Sequence, residues 1–176
     1  MNKRVVVIST SPRLGGNSDL LAEEFARGAT DAGNQVEKIT LAGKSIGFCR
    51  GCLACQNTRR CVISDDAGSI VEKMLTADVI AFATPIYYYE MSGQMKTMLD
   101  RSNPLFTADY AFRDIYMLST AAEDGAEVPE RAVSGLQGWI NCYEQARLAG
   151  TVFGGGVNER GEIRQHPEKL REAYEM

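Results

Sequence analysis

The chain contains one histidine, His166, in a polar segment near the C-terminus. Histidine-based metal sites and serine–histidine triads therefore have little to work with. Basic tracts are absent. The 19 Lys and Arg stand against 23 Asp and Glu, a net charge of −4, which makes nucleic acid a poor partner. No apolar run approaches the ~20 residues of a membrane helix. The longest, Val79 to Ile86, is interrupted by Thr84 and Pro85 and suits a buried strand better. Met1 leads into Asn2-Lys3-Arg4 and then only four apolar residues, too few for the core of a signal peptide, so a cytoplasmic chain is expected. The dinucleotide fingerprint G-x-G-x-x-G is missing. Gly43-Lys44-Ser45 imitates the end of a Walker loop, but Lys38 stands where its first Gly belongs.

What remains is the composition of a folded domain. The 176 residues are 44% hydrophobic and show no repeat or linker, which predicts a single domain over 1–176. Strand and helix patterns alternate. Arg4 to Ser9, Asp78 to Thr84, Asp114 to Ala121 and Leu148 to Phe153 read as buried strands, and Gln35 to Leu41 as a shorter one. Asn17 or Ser18 can cap a first helix, closed by Gly33. Asp65 and Asp66 cap a second. Met91, Met95, Met98 and Leu99 mark a third, and Val133, Leu136, Ile140 and Tyr143 a fourth. A last helix runs from about Pro167, and a cysteine-rich loop fills about 43–64. The pattern predicts an α/β fold of three layers: a doubly wound, five-stranded parallel sheet in the order 2-1-3-4-5. In such a sheet, ligands bind at the carboxyl ends of the strands, which directs attention to the loops after strands one, three and four.

The loop after strand one, Thr10-Ser-Pro-Arg-Leu-Gly-Gly-Asn-Ser18, combines hydroxyls, an arginine, two glycines and a helix start. That chemistry suits a phosphate dianion. The loop after strand three carries Tyr87-Tyr88-Tyr89 between Pro85 and Gly93. Three tyrosines at a strand end offer a flat surface for a planar ring or for a second subunit.

The S-P-R-x-x-G-N-S loop, the P-I-Y-Y-Y segment and the stretch Lys96-x-x-x-Asp100-Arg101 resemble the flavodoxin-like NAD(P)H-dependent FMN reductases, most of all the iron–sulfur flavoprotein branch. The resemblance covers roughly residues 3–125. It implies that Ser9, Ser11, Arg13, Asn17 and Ser18 hold the FMN phosphate. Pro85, Ile86, Tyr87, Tyr88 and Tyr89 would line the isoalloxazine, with Thr120 and Ala121 on its far side. Members usually carry a Gly near that last turn, where this chain has Ala121-Ala122-Glu123-Asp124-Gly125. The implied activity is electron transfer from NAD(P)H through FMN to a small acceptor such as a quinone, a flavin or a metal complex. The alternative is a carrier that exchanges electrons with ferredoxin. A homodimer or tetramer is expected, from the tyrosines, Met91 and the aromatic segment Leu105 to Phe112.

Cys49, Cys52, Cys55 and Cys61 read C-x2-C-x2-C-x5-C. Such compact spacing lets one loop wrap a [4Fe–4S] cluster, and Arg50, Arg59 and Arg60 would offset its charge. Cluster-free relatives have a similar segment ahead of an acidic pair like Asp65-Asp66, so both readings stand. Cys142 is expected to be a buried helix residue. Gly154-Gly155-Gly156 reads as a flexible turn or a point of close approach.

Overall fold

Val5 to Ile8 are all buried, as a strand covered on both faces requires. They lie in β1 (Arg4–Ser9) of a computed structural model that describes residues 2–176. The other long strands are β2 (Gln35–Thr40), β3 (Val79–Tyr87), β5 (Asp114–Thr120) and β6 (Arg147–Gly154). They pair in parallel in the order β2-β1-β3-β5-β6. Counted among themselves, these five have the expected order 2-1-3-4-5.

A sixth strand departs from the expectation. β4 (Glu90–Met91) folds back antiparallel on the end of β3, pairing Ile86 with Met91 and Tyr87 with Glu90. The two residues between them, Tyr88 and Tyr89, have φ of +52° and +64°. Left-handed geometry at both central positions is what a two-residue hairpin turn demands, and it is uncommon for tyrosine. Met91 therefore belongs to this strand and does not open the third helix. That helix, α4 (Gly93–Arg101), starts after Ser92, whose hydroxyl accepts the Met95 N–H.

Alternate residues of the sheet face opposite layers. Val6, Ile8, Ile80 and Phe82 pack with Ile70 and Met74 of α3 (Asp66–Thr76), Met95 and Met98 of α4, and Leu136 of α5 (Glu130–Ile140). Val5, Val7, Ala81 and Leu118 pack with Leu21 and Phe25 of α1 (Asn17–Asp31) and Ala173 of α6 (Pro167–Glu175). A Cβ on Gly28 would collide with the Tyr174 carbonyl, so the close crossing of α1 and α6 depends on that glycine. A further short helix, α2 (Ala54–Thr58), lies inside the cysteine loop. Leu105 and Phe112, expected at a subunit contact, are instead core residues; Phe112 stacks on Tyr110 and Trp139. In that segment, Phe106 is 51% exposed.

Candidate cofactor site

The loop after β1 and the start of α1 form an anion cradle. Gly16, not Asn17 or Ser18, occupies the cap position, so both predicted capping residues fall inside the first turn. The N–H groups of Asn17, Ser18 and Asp19 have no backbone acceptor among the described residues, the usual state of a helix start and the basis of its attraction for anions. Ser11 Oγ donates to the Arg13 carbonyl at 2.8 Å and accepts the Arg13 N–H at 3.2 Å, which folds the loop on itself. The Ser18 hydroxyl is fully buried without a hydrogen-bond partner among the described residues. An orphaned buried hydroxyl is costly, and a polar ligand or an ordered water would satisfy it.

Asp19 keeps the cradle in shape. Its Oδ2 accepts the Gly15 N–H at 2.9 Å, and Lys38 Nζ stands 2.7 Å from its Oδ1. Burial pushes its pKa upward, but Lys38 beside it and the Gly15 N–H outweigh that and hold it below the usual carboxylate range. Lys38 thereby offsets the charge that Asp19 would otherwise set against an anion here.

The Asn17 side chain is committed elsewhere. Its Nδ2 donates to the Glu159 carbonyl at 2.9 Å and its Oδ1 accepts the Ile163 N–H at 3.1 Å. Arg13 Nη2 reaches the Asn158 carbonyl at 3.3 Å. A strap running from the three-glycine turn to Gln165 thus crosses the cradle, which the sequence did not announce. Its origin also explains Gly155, where a Cβ would lie 2.5 Å from Asp124 Cα and 2.7 Å from the Glu123 carbonyl oxygen. The glycines serve close approach to the loop after β5, sealed by Val157 N–H donating to Ala121 O at 2.9 Å.

Next to the cradle, Ile86, Tyr87, Tyr88 and Tyr89 face Ala121, Ala122, Glu123 and Val128 across an open cavity of about 410 Å³. Thr10 ties the two regions together, its hydroxyl lying 3.1 Å from Ser92 Oγ at the foot of the hairpin. Pro85 and Thr120 do not line this cavity; they pair with each other in the buried sheet beneath it. Glu123 is a cavity residue that sequence reasoning missed. Its carboxylate accepts the Tyr89 hydroxyl at 3.3 Å and, by its charge, raises the Tyr89 pKa. The donors of the cradle and the aromatic cavity fit the phosphate and the ring of a flavin mononucleotide.

All five cysteines line a second cavity of about 430 Å³, walled by Leu99, Phe106, Trp139 and Tyr143. Cys142 lies beyond the end of α5 and is exposed, contrary to the buried position expected for it. Gly51, Leu53 and Arg59 all have positive φ, so the loop is tightly coiled over this cavity. Among the described residues, no three thiols or carboxylates converge as a single metal ion needs. Cys49, Cys52, Cys55 and Cys61 nonetheless share the lining of this one cavity. Arg101 pins both ends of the loop. It is fully buried, pairs with Asp65 through both Nη atoms at 2.6 and 2.8 Å, and donates to the carbonyls of Gly47 and Ile63 at 2.7 and 3.3 Å.

The sheet order, the anion cradle after its first strand and the aromatic hairpin at its third define a flavodoxin-like protein. The chain matches the NADPH-dependent FMN reductase family over residues 3–153, and it belongs to that family. The match runs through β6, beyond the motifs that carry the resemblance. An iron–sulfur flavoprotein of Methanocaldococcus jannaschii is 40% identical over 102 residues, covering 58% of this chain and 53% of that protein. The chain thus spans about half the length of that relative. An iron–sulfur flavoprotein of Methanosarcina thermophila is 26% identical over 157 residues, 88% of this chain and 81% of that one. Among solved structures, an NAD(P)H:quinone oxidoreductase from Methanothermobacter marburgensis superposes with a TM-score of 0.76 over 99% of this chain and 94% of its own. At 17% identity, that likeness speaks for the fold alone.

Proposed function

We propose that this protein is an FMN-dependent oxidoreductase that takes electrons from NAD(P)H and delivers them to a small acceptor such as a quinone, a flavin or a metal complex. The observation that carries the reading is the junction of an anion cradle with an orphaned buried hydroxyl and an aromatic cavity at the ends of adjacent strands, in a chain of the FMN reductase family. FMN, when bound, supplies the hydride and electron chemistry. The protein holds the phosphate through the first turn of α1, Ser11, Arg13 and Ser18, and offers Tyr87 to Tyr89 as a rigid wall for the ring. The hairpin stores backbone strain at Tyr88 and Tyr89, as sites of binding often do. Donor and acceptor would take turns at the open cavity beside Tyr87 to Tyr89. No described helix is long and apolar enough to cross a membrane.

Mixing the FMN-loaded chain anaerobically with NADPH or NADH tests this. The flavin absorbance should bleach within the mixing time and return when a quinone is added. If neither nicotinamide bleaches the flavin, the proposal fails.

The cysteine cavity and the names of the two relatives support a second reading, in which the chain passes electrons between ferredoxin and FMN through a [4Fe–4S] cluster. Bleaching by reduced ferredoxin but not by nicotinamides would favour it.

A further inference from the structure

Arg160 belongs to none of the three strand-end loops, and no motif marks it. It rides on the strap, which is fixed on both sides of it. Asn158 and Glu159 are held by their carbonyls, through Arg13 and Asn17, and Ile163 by its N–H. Glu162 Oε2 accepts the N–H groups of Asn158 and Glu159 at 2.7 and 2.9 Å, which stiffens the turn. Between these anchors the guanidinium of Arg160 comes over Gly15 of the cradle. A Cβ on Gly15 would stand 3.3 Å from Arg160 Nη2 and 3.5 Å from its Nε.

Among the described residues neither Arg13 nor Arg160 makes a salt bridge. Two unpaired guanidinium groups therefore flank the first turn of α1, whose own field is positive. The nearby Asp19 is already matched by Lys38. Like charges gathered without an anion repel one another, and a dianion placed between them reverses the sign of the interaction. The buried, unpartnered Ser18 hydroxyl in the same turn is a second and independent sign of a missing polar ligand.

We propose that Arg160 is a cofactor-binding residue that grips the phosphate end of the flavin from the strap side, so that the strap selects a phosphorylated flavin over riboflavin. The inference rests on the FMN reading above and assigns the phosphate a ligand from a distant part of the chain.

The test uses the full-length chain stripped of flavin, with dissociation constants for FMN and riboflavin read from flavin fluorescence. Arg160→Ala should lose about 10- to 100-fold in FMN affinity, the range of one charge-assisted hydrogen bond, and change riboflavin affinity by less than about twofold. Arg160→Lys should lose less, because it keeps the charge but not the planar fork. Arg171→Ala, an exposed cation on α6, should bind both flavins as the parent does. The FMN affinity of the parent should also fall more steeply with salt than that of Arg160→Ala. An unchanged FMN-to-riboflavin ratio in Arg160→Ala overturns the inference. So does an equal loss of both flavins, which would make the strap a purely structural brace. If the parent chain itself binds no FMN, the functional proposal falls instead, and the two failures are told apart.

Discussion

Arg101→Met removes a guanidinium that is 1% exposed and keeps most of the side chain's length. Asp65, its partner, has a side chain only 9% exposed. Removing one member of a buried pair costs about 3–5 kcal/mol, because the other charge is left unpaired. Two features place this variant near the lower end. Asp65 keeps the N–H groups of Gly47 and Ala67 at 2.8 and 3.1 Å, and Arg101 Nε is itself buried without a partner among the described residues. A loss of about 3 kcal/mol is expected in urea unfolding of the full chain. With a slope of about 2 kcal/mol per M, the midpoint falls by about 1.5 M. The pH dependence gives a second check. The hydrogen bonds from Arg101 hold the Asp65 carboxyl below the usual carboxylate range, against the opposing effect of burial. A folded pKa below the unfolded value of about 3.9 means this stabilisation is complete above about pH 4 and is lost as pH falls through the depressed value. The gap between parent and Arg101→Met should therefore narrow on acidification below pH 4. A destabilisation under about 1 kcal/mol, or a gap equal at pH 3 and pH 7, would refute the reasoning. The same variant should open the loop between Gly47 and Ile63 to proteases, since Arg101 ties both ends of it.

Arg13→Ala should weaken FMN binding by about one to two decades, the worth of a charge-assisted hydrogen bond, and an unchanged dissociation constant would count against its place in the cradle. Anaerobic reconstitution should yield roughly four irons and four sulfides per chain if Cys49, Cys52, Cys55 and Cys61 hold a cluster; Cys142→Ser should leave that count intact, and an iron-free product would leave the plain FMN reductase. We also propose a homo-oligomer, since Phe48 at 81% and Tyr88 at 97% exposure are large apolar surfaces left in solvent. Sedimentation of the FMN-bound chain as a monomer at micromolar concentration would dismiss this.

The strands were readable because the sheet is buried on both faces, so Val5 to Ile8 and Val79 to Ala83 carry their burial in local composition. The hairpin at Tyr88 and Tyr89 was not, because neither residue is a turn former and the left-handed geometry is imposed by pairing of Glu90 and Met91 with β3. Cys142 was misplaced for a smaller reason: α5 ends at Ile140, and the two residues beyond it turn the thiol out into the cavity. Arg101 was visible as a residue but not as a pin, because Asp65 lies 36 positions away.

The strap shows the same limit more sharply. Asn17 reads from sequence as a phosphate ligand or a cap, since its residue type and position suit both. Its two amide atoms are instead taken by Glu159 and Ile163, 142 and 146 residues further on. A buried side-chain amide satisfied on both sides is strongly fixed, so Asn17 acts as the peg on which the C-terminal segment hangs. That peg sets where Arg160 falls, and the three glycines set where the strap leaves the sheet. Local motifs could place the cradle because its chemistry is contained in nine consecutive residues, Thr10 to Ser18. They could not place its outer wall, whose residues acquire meaning only once β6 has paired with β5 and brought the chain back across the first loop.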